Sequence, residues 1–168
     1  MGYTTDFYGE FKLDRPLTLE HKLYLVRFAD TRRMMRSASK AASIPDPIRE
    51  AVGLPIGQDA EYFVGGGGEM GQGDDKSVID HNSPPSSQPG LWCQWVPTPD
   101  GKGISWDGGE KFYHYTTWIK YIIKNFLKPW GYVLNGTVRW QGEESNDRGI
   151  IVIIDNVMQT MIGRVVYE

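Results

Sequence analysis

The sequence has one cysteine, Cys93, among 168 residues. A lone thiol excludes an internal disulfide framework and a cysteine-rich zinc site, and it suits a reducing compartment. Long hydrophobic runs are also missing. The apolar stretches fall far short of the roughly 20 residues that a membrane helix requires. No basic stretch followed by an apolar run opens the chain, and Asp6 stands where a myristoylation signal wants Ser or Thr. The expected location is the cytoplasm, with no membrane partner. Excess charge of either sign is absent: 18 basic and 21 acidic side chains give a net charge of −3. That balance suits neither a DNA mimic nor a dedicated nucleic-acid binder.

The chemical motifs are as sparse. Three histidines, His21, His81 and His114, do not make HExxH or another zinc spacing, so no metal site is expected. The Gly65-Gly66-Gly67-Gly68 run is followed by no GKS or GKT and opens no G-x-G-x-x-G helix, and there is no G-x-S-x-G elbow. No catalytic set and no cofactor is predicted.

Aromatic residues are abundant. Six Trp, nine Tyr and six Phe supply large apolar area, each ring burying on the order of 150–250 Å². The periodicities predict an α+β fold. Residues 3–13 alternate, with Tyr3, Thr5, Phe7, Phe11 and Leu13 on one face and Thr4, Asp6, Tyr8, Glu10 and Lys12 on the other, a half-buried strand. Thr18 reads as an N-cap. The helix after it is expected to run to about Ala42, with Pro45 and Pro47 stopping it. Residues 61–64 could be a short strand. Leu91–Val96 and 103–106 form a hairpin across Pro99-Asp100-Gly101. Asp107 caps a second helix whose Phe112, Tyr115, Ile119, Ile122 and Phe126 make one stripe. Strands at 132–141, 150–154 and about 161–167 follow, with 150–154 apolar on both faces and so expected to be covered on both.

Two main helices on one face of a mostly antiparallel sheet is the natural packing, with a split β-α-β, ferredoxin-like arrangement as one candidate. The chain is expected to be one domain, 1–168, with an irregular Gly/Pro/Ser-rich insert at about 44–90. Such a stretch is usually functional or disordered.

The candidate ligand-binding residues follow from these features. Gly65, Gly66, Gly67 and Gly68 could cradle an anion with backbone N–H groups, or could be only a flexible lid. His81, between Asp80 and Asn82, could be a base or ligand, or sit in a solvated Asx turn. Trp92 and Trp95, on opposite faces of a regular strand, could stack on a base, or belong to a Trp-rich core. Arg33 and Arg36, with Lys40 on one helix side, could meet phosphates, or only complement the helix dipole.

Several segments resemble a family of small phage- and prophage-type proteins that also occur in bacterial genomes. They are Gly2-Tyr3-Thr4-Thr5-Asp6-Phe7, Gln88-Pro89-Gly90-Leu91-Trp92-Cys93-Gln94-Trp95, Trp106-Asp107-Gly108-Gly109-Glu110-Lys111-Phe112-Tyr113, Pro129-Trp130-Gly131-Tyr132 and Trp140-Gln141-Gly142-Glu143. The resemblance implies a lineage and no site residue. By analogy it implies an accessory role against host defence or metabolism.

The leading expectation is a non-enzymatic binding protein that sequesters a nucleotide-like small molecule or blocks a host protein. The alternatives are a small hydrolase or transferase using His81 or Cys93, and an interaction module without a pocket. A homo-oligomer would cover exposed aromatics.

Overall fold

In the computed structural model, residues 2–65 and 73–167 are described. The strands are β1 (Asp6–Tyr8), β2 (Phe11–Leu13), β3 (Met35–Arg36), β4 (Val78–Asp80), β5 (Trp95–Pro97), β6 (Gly103–Trp106), β7 (Leu134–Gln141), β8 (Arg148–Ile154) and β9 (Val157–Ile162). The helices are α1 (Leu19–Asp30), α2 (Ala38–Ala41), α3 (Pro47–Ala51) and α4 (Tyr115–Ile122). A 3₁₀ turn covers Gln58–Ala60, and a π-helical turn, Ile123–Leu127, continues α4. None of the described helices is long and apolar enough to cross a membrane. The fold is α+β. The chain divides into two compact units, one formed by residues 1–16 and 94–168, the other by 17–93.

The first unit holds a seven-stranded sheet in the order β5-β6-β2-β7-β8-β9, with β1 also on β7. Every pairing in it is antiparallel. A split β-α-β unit needs a parallel pair, so the ferredoxin-like candidate is not the topology. The alternation read at residues 3–13 holds. Thr5, Phe7, Phe11 and Leu13 are buried while Asp6, Tyr8 and Lys12 are exposed. The strand breaks at Gly9-Glu10, yet β1 and β2 keep one register on β7, from Asp6 opposite Gln141 to Leu13 opposite Leu134.

Aromatic rings fill the inner face. Phe7 meets Trp95, Trp106, Phe112 and Tyr115 edge-on at centroid separations of 5.3, 5.4, 5.8 and 4.9 Å. Such contacts add about 0.5–1.5 kcal/mol each beyond area burial. The Trp95 indole N–H donates to the Tyr115 carbonyl at 2.8 Å, tying α4 to β5. The second helix starts seven residues later than a cap at Asp107 predicts, with His114 at the N-cap position. Asp107 accepts from the Gly109 N–H at 2.7 Å, an Asx turn, and Lys111 and His114 take positive φ, which breaks any helix there. The strand expected at 150–154 is paired on both sides but covered on one face only. Ile151 and Ile153 are buried, Ile150 and Val152 are half-buried, and Ile154 is exposed. The last strand falls at 157–162 rather than 161–167, because Asp155-Asn156, both at positive φ, make a two-residue hairpin turn.

In the second unit, α1 ends twelve residues before the expected stop, and the helix side shared by Arg33, Arg36 and Lys40 does not exist. The Thr31 hydroxyl donates to the Arg27 carbonyl at 2.6 Å and closes the helix. The chain then runs extended. Arg33 N–H donates to Leu91 O at 2.8 Å, Met35 N–H to Ser83 O at 2.8 Å and Ser37 N–H to Ser77 O at 2.7 Å. Residues 61–64 form a turn rather than a strand. Buried arginines organise the rest of this unit. Arg49 donates to Asp46 Oδ2 at 2.6 Å and to Leu54 O at 2.7 Å, with Asp46 fully buried. Buried charges persist only when paired in this way.

Candidate functional site

The described members of the sequence-predicted site each have their own surroundings. Gly65 is buried with φ 68°; Gly66, Gly67 and Gly68 lie outside the described residues. His81 is exposed on the turn after β4, where its carbonyl accepts from Arg32 Nε at 2.9 Å. Asp80 Oδ1 beside it accepts the Asn82 N–H, so the turn is an Asx turn. Cys93 is buried at 1% exposure. Trp95 is a core ring at 2% exposure, between Phe7, Phe11 and Phe112. Trp92 is half-buried and precedes β5, so the two rings do not share a regular strand.

Arg33 and Arg36, expected on a helix end, are 2% and 3% exposed. Arg33 Nη2 donates to Glu61 O at 2.7 Å, and its guanidinium lies 4.2 Å from the Phe28 ring centroid. Gln88 Nε2 donates to the same Glu61 carbonyl at 2.8 Å. Arg36 Nη1 donates to Asp75 Oδ2 at 2.8 Å and Ser77 Oγ at 2.9 Å, and its guanidinium sits 4.4 Å from the Phe63 ring centroid. Burial raises the Asp75 pKa. The Ser77 hydroxyl, Arg36 and the Ser77 N–H outweigh it, so the carboxyl titrates below its ordinary 3.8. These contacts give both arginines structural partners within the insert.

A different set of residues meets on the outer face of the sheet. A depression of about 300 Å³ is lined by Tyr8, Arg139, Gln141 and Arg148, with Trp140, Gly149 and Gly163 completing the lining. The register builds it. Tyr8 on β1 stands opposite Arg139 on β7, and Gln141 stands opposite Arg148 on β8. Cross-strand partners share a face, and a diagonal pair such as Arg139 and Arg148 lies roughly 7–8 Å apart. The Arg139 guanidinium lies 4.9 Å from the centroid of the half-exposed Tyr8 ring, a cation–π contact.

The turn between β7 and β8 holds the other arginine. Gln141 Nε2 donates to the carbonyls of Gly142 and Glu144, both at 3.1 Å. Asp147 accepts from the Trp140 indole at 3.0 Å and from the Tyr3 hydroxyl at 2.7 Å. Arg148 Nε donates to Ser145 O at 2.9 Å, which ties this side chain to the turn. Two glycines make room. A β-carbon at Gly163 would lie 2.8 Å from Arg148 Cγ, and one at Gly149 would collide with the Trp140 ring and the Met161 carbonyl.

Among the described residues neither Arg139 nor Arg148 is paired with a carboxylate. Two neighbouring guanidiniums repel one another, and an anion between them relieves that repulsion while offering bidentate hydrogen bonds. Asp6, opposite Gln141, lies on the same face outside the lining. Among the described residues no group of three His, Cys, Asp or Glu side chains is placed to hold a metal ion. Sequence periodicity already set Tyr8 on the polar face of its strand, and Arg139 falls within the strand expected at 132–141. The pairing that brings them together has no local signal. Compared with family models, curated proteins and solved structures, the chain matches none.

Proposed function

We propose that this protein is a non-catalytic binding protein that sequesters an anionic, nucleotide-like small molecule in the depression formed by Tyr8, Arg139, Gln141 and Arg148. The observation that supports it is that Arg139 and Arg148, neither paired with a carboxylate among the described residues, line one depression beside an exposed tyrosine ring. Planar guanidiniums suit phosphate oxygens, and a flat base beside the phosphate can lie against Tyr8 or the Arg139 plane. In the phage-type setting that the sequence resembles, such binding in the host cytoplasm would withdraw a nucleotide signal from the host.

Titration calorimetry with nucleoside mono-, di- and triphosphates, cyclic nucleotides and the uncharged nucleosides tests this reading. The expected result is heat from a phosphorylated nucleotide, none from its nucleoside, and loss in the Arg139→Ala/Arg148→Ala protein with its fold intact by circular dichroism. Absence of heat with every nucleotide would overturn it.

A further inference from the structure

The outer edge of the sheet carries a second feature, independent of the ligand site. Strand β9 ends the sheet, and among the described residues its far side has no partner. Val157–Ile162 reads Val-Met-Gln-Thr-Met-Ile, with no charge and no proline, and its register on β8 runs without a bulge. Natural edges are normally blunted by one of these devices. Its side chains are open as well: Val157, Met161 and Ile162 are 62%, 54% and 80% exposed.

The hairpin fixes which backbone groups are free. Gly163 N–H donates to Arg148 O at 2.8 Å, and Ile154 stands opposite Val157 across the two-residue turn. Antiparallel bonding alternates along a strand. Residues 157, 159 and 161 therefore bond to β8, and Met158, Thr160 and Ile162 turn their N–H and C=O groups outward. An added antiparallel strand must pair outward-facing residues with outward-facing residues. For a second copy, this permits a two-fold axis at Thr160.

We propose that β9 is a homodimer interface, in which two copies join their sheets edge to edge about Thr160. In this register Thr160 faces the partner copy's Thr160, a favourable cross-strand pair, and Met158 faces the partner copy's Ile162. Gln159 lies opposite the partner copy's Met161. Beyond the strand, exposed Arg164 falls opposite the partner copy's Asn156 and beside its Asp155. The two-fold repeats this charge match at both ends. The self-complementary register and paired charges favour a second copy over an unrelated strand. An interface of one short strand pair lies at the small end of the range for specific contacts, so the dimer is weak and concentration-dependent.

Sedimentation velocity over a roughly hundredfold concentration range tests the proposal. Wild-type protein should pass from monomer to dimer. Thr160→Pro removes an outward N–H that β8 does not use, and should abolish the dimer. Thr160→Lys should do the same by placing like charges directly opposite one another across the edge, which covers the case in which the proline variant fails to fold. Arg164→Glu should weaken dimerisation about tenfold, and Asp155→Lys/Arg164→Glu should restore it. A wild-type protein that stays monomeric throughout would overturn the proposal. So would a dimer that survives both edge variants, or a charge reversal that restores nothing.

Discussion

Replacing Arg36 with Met removes the guanidinium and keeps most of the side-chain volume. The structure assigns three contacts to that guanidinium: the charge-assisted bond to Asp75, the bond to Ser77 Oγ and the cation–π contact with Phe63. A hydrogen bond to a charged group contributes about 1.5–3 kcal/mol, and a neutral one about 1. A partly desolvated cation–π contact adds about 1 kcal/mol. Two effects offset these. Asp75 keeps 37% side-chain exposure, so its orphaned carboxylate regains water. The Ser77 hydroxyl and N–H also still donate to it. The net loss should be about 2–3 kcal/mol, below the 3–5 of a fully buried broken pair. For a chain of this length that lowers Tm by roughly 5–10 °C.

The same contacts set a pH dependence. The folded Asp75 carboxyl titrates below its ordinary 3.8, so its contribution is present above that pH and is lost as the pH falls through the lowered folded value. In Arg36→Met the acid limb should flatten. Urea denaturation at neutral and acidic pH, with hydrogen exchange to locate the loss, measures both effects. Protection should fall at residues 35–37 and 77–80 before it falls in β7 and β8. A stability change under about 0.5 kcal/mol, or an unchanged acid limb, would refute the reasoning.

Three further outcomes follow from the first unit. Tyr115 is pushed up to about 12, first by burial and then by the charge of Asp147, so its contribution is present below pH 10 and lost as pH rises toward 12; Tyr115→Phe should flatten the alkaline limb of a urea-midpoint profile. Gly149→Ala forces a methyl into the Trp140 ring and the Met161 carbonyl, and should cost about 2–3 kcal/mol by thermal denaturation. Asp6→Asn removes a carboxylate on the same face as the depression and should tighten nucleotide binding about two- to threefold by calorimetry, the scale of one exposed charge.

Local patterns carried the sheet. The alternation at 3–13 and the hairpin across Pro99-Asp100-Gly101 both depend on neighbours within a few residues. The elements that escaped depend on distant partners. α1 stops at Asp30 because the chain beyond Thr31 pairs with Ser77, Ser83 and Leu91. A run of arginines there read as a solvated helix end, since nothing near it in sequence announces Glu61, Asp75 or Phe63. The candidate site escaped for the same reason. Tyr8, Arg139 and Arg148 lie on three strands, and only the register of β1 and β8 on β7 makes them neighbours.

The most direct test is chemical-shift mapping of amide resonances during titration with the nucleotide that binds. Shifts concentrated at Tyr8, Arg139, Gln141, Arg148 and Gly163 are the predicted result. Shifts centred instead on Gly65, Arg33, Arg36 and His81 would contradict the outer-face site and return the binding function to the glycine-rich insert.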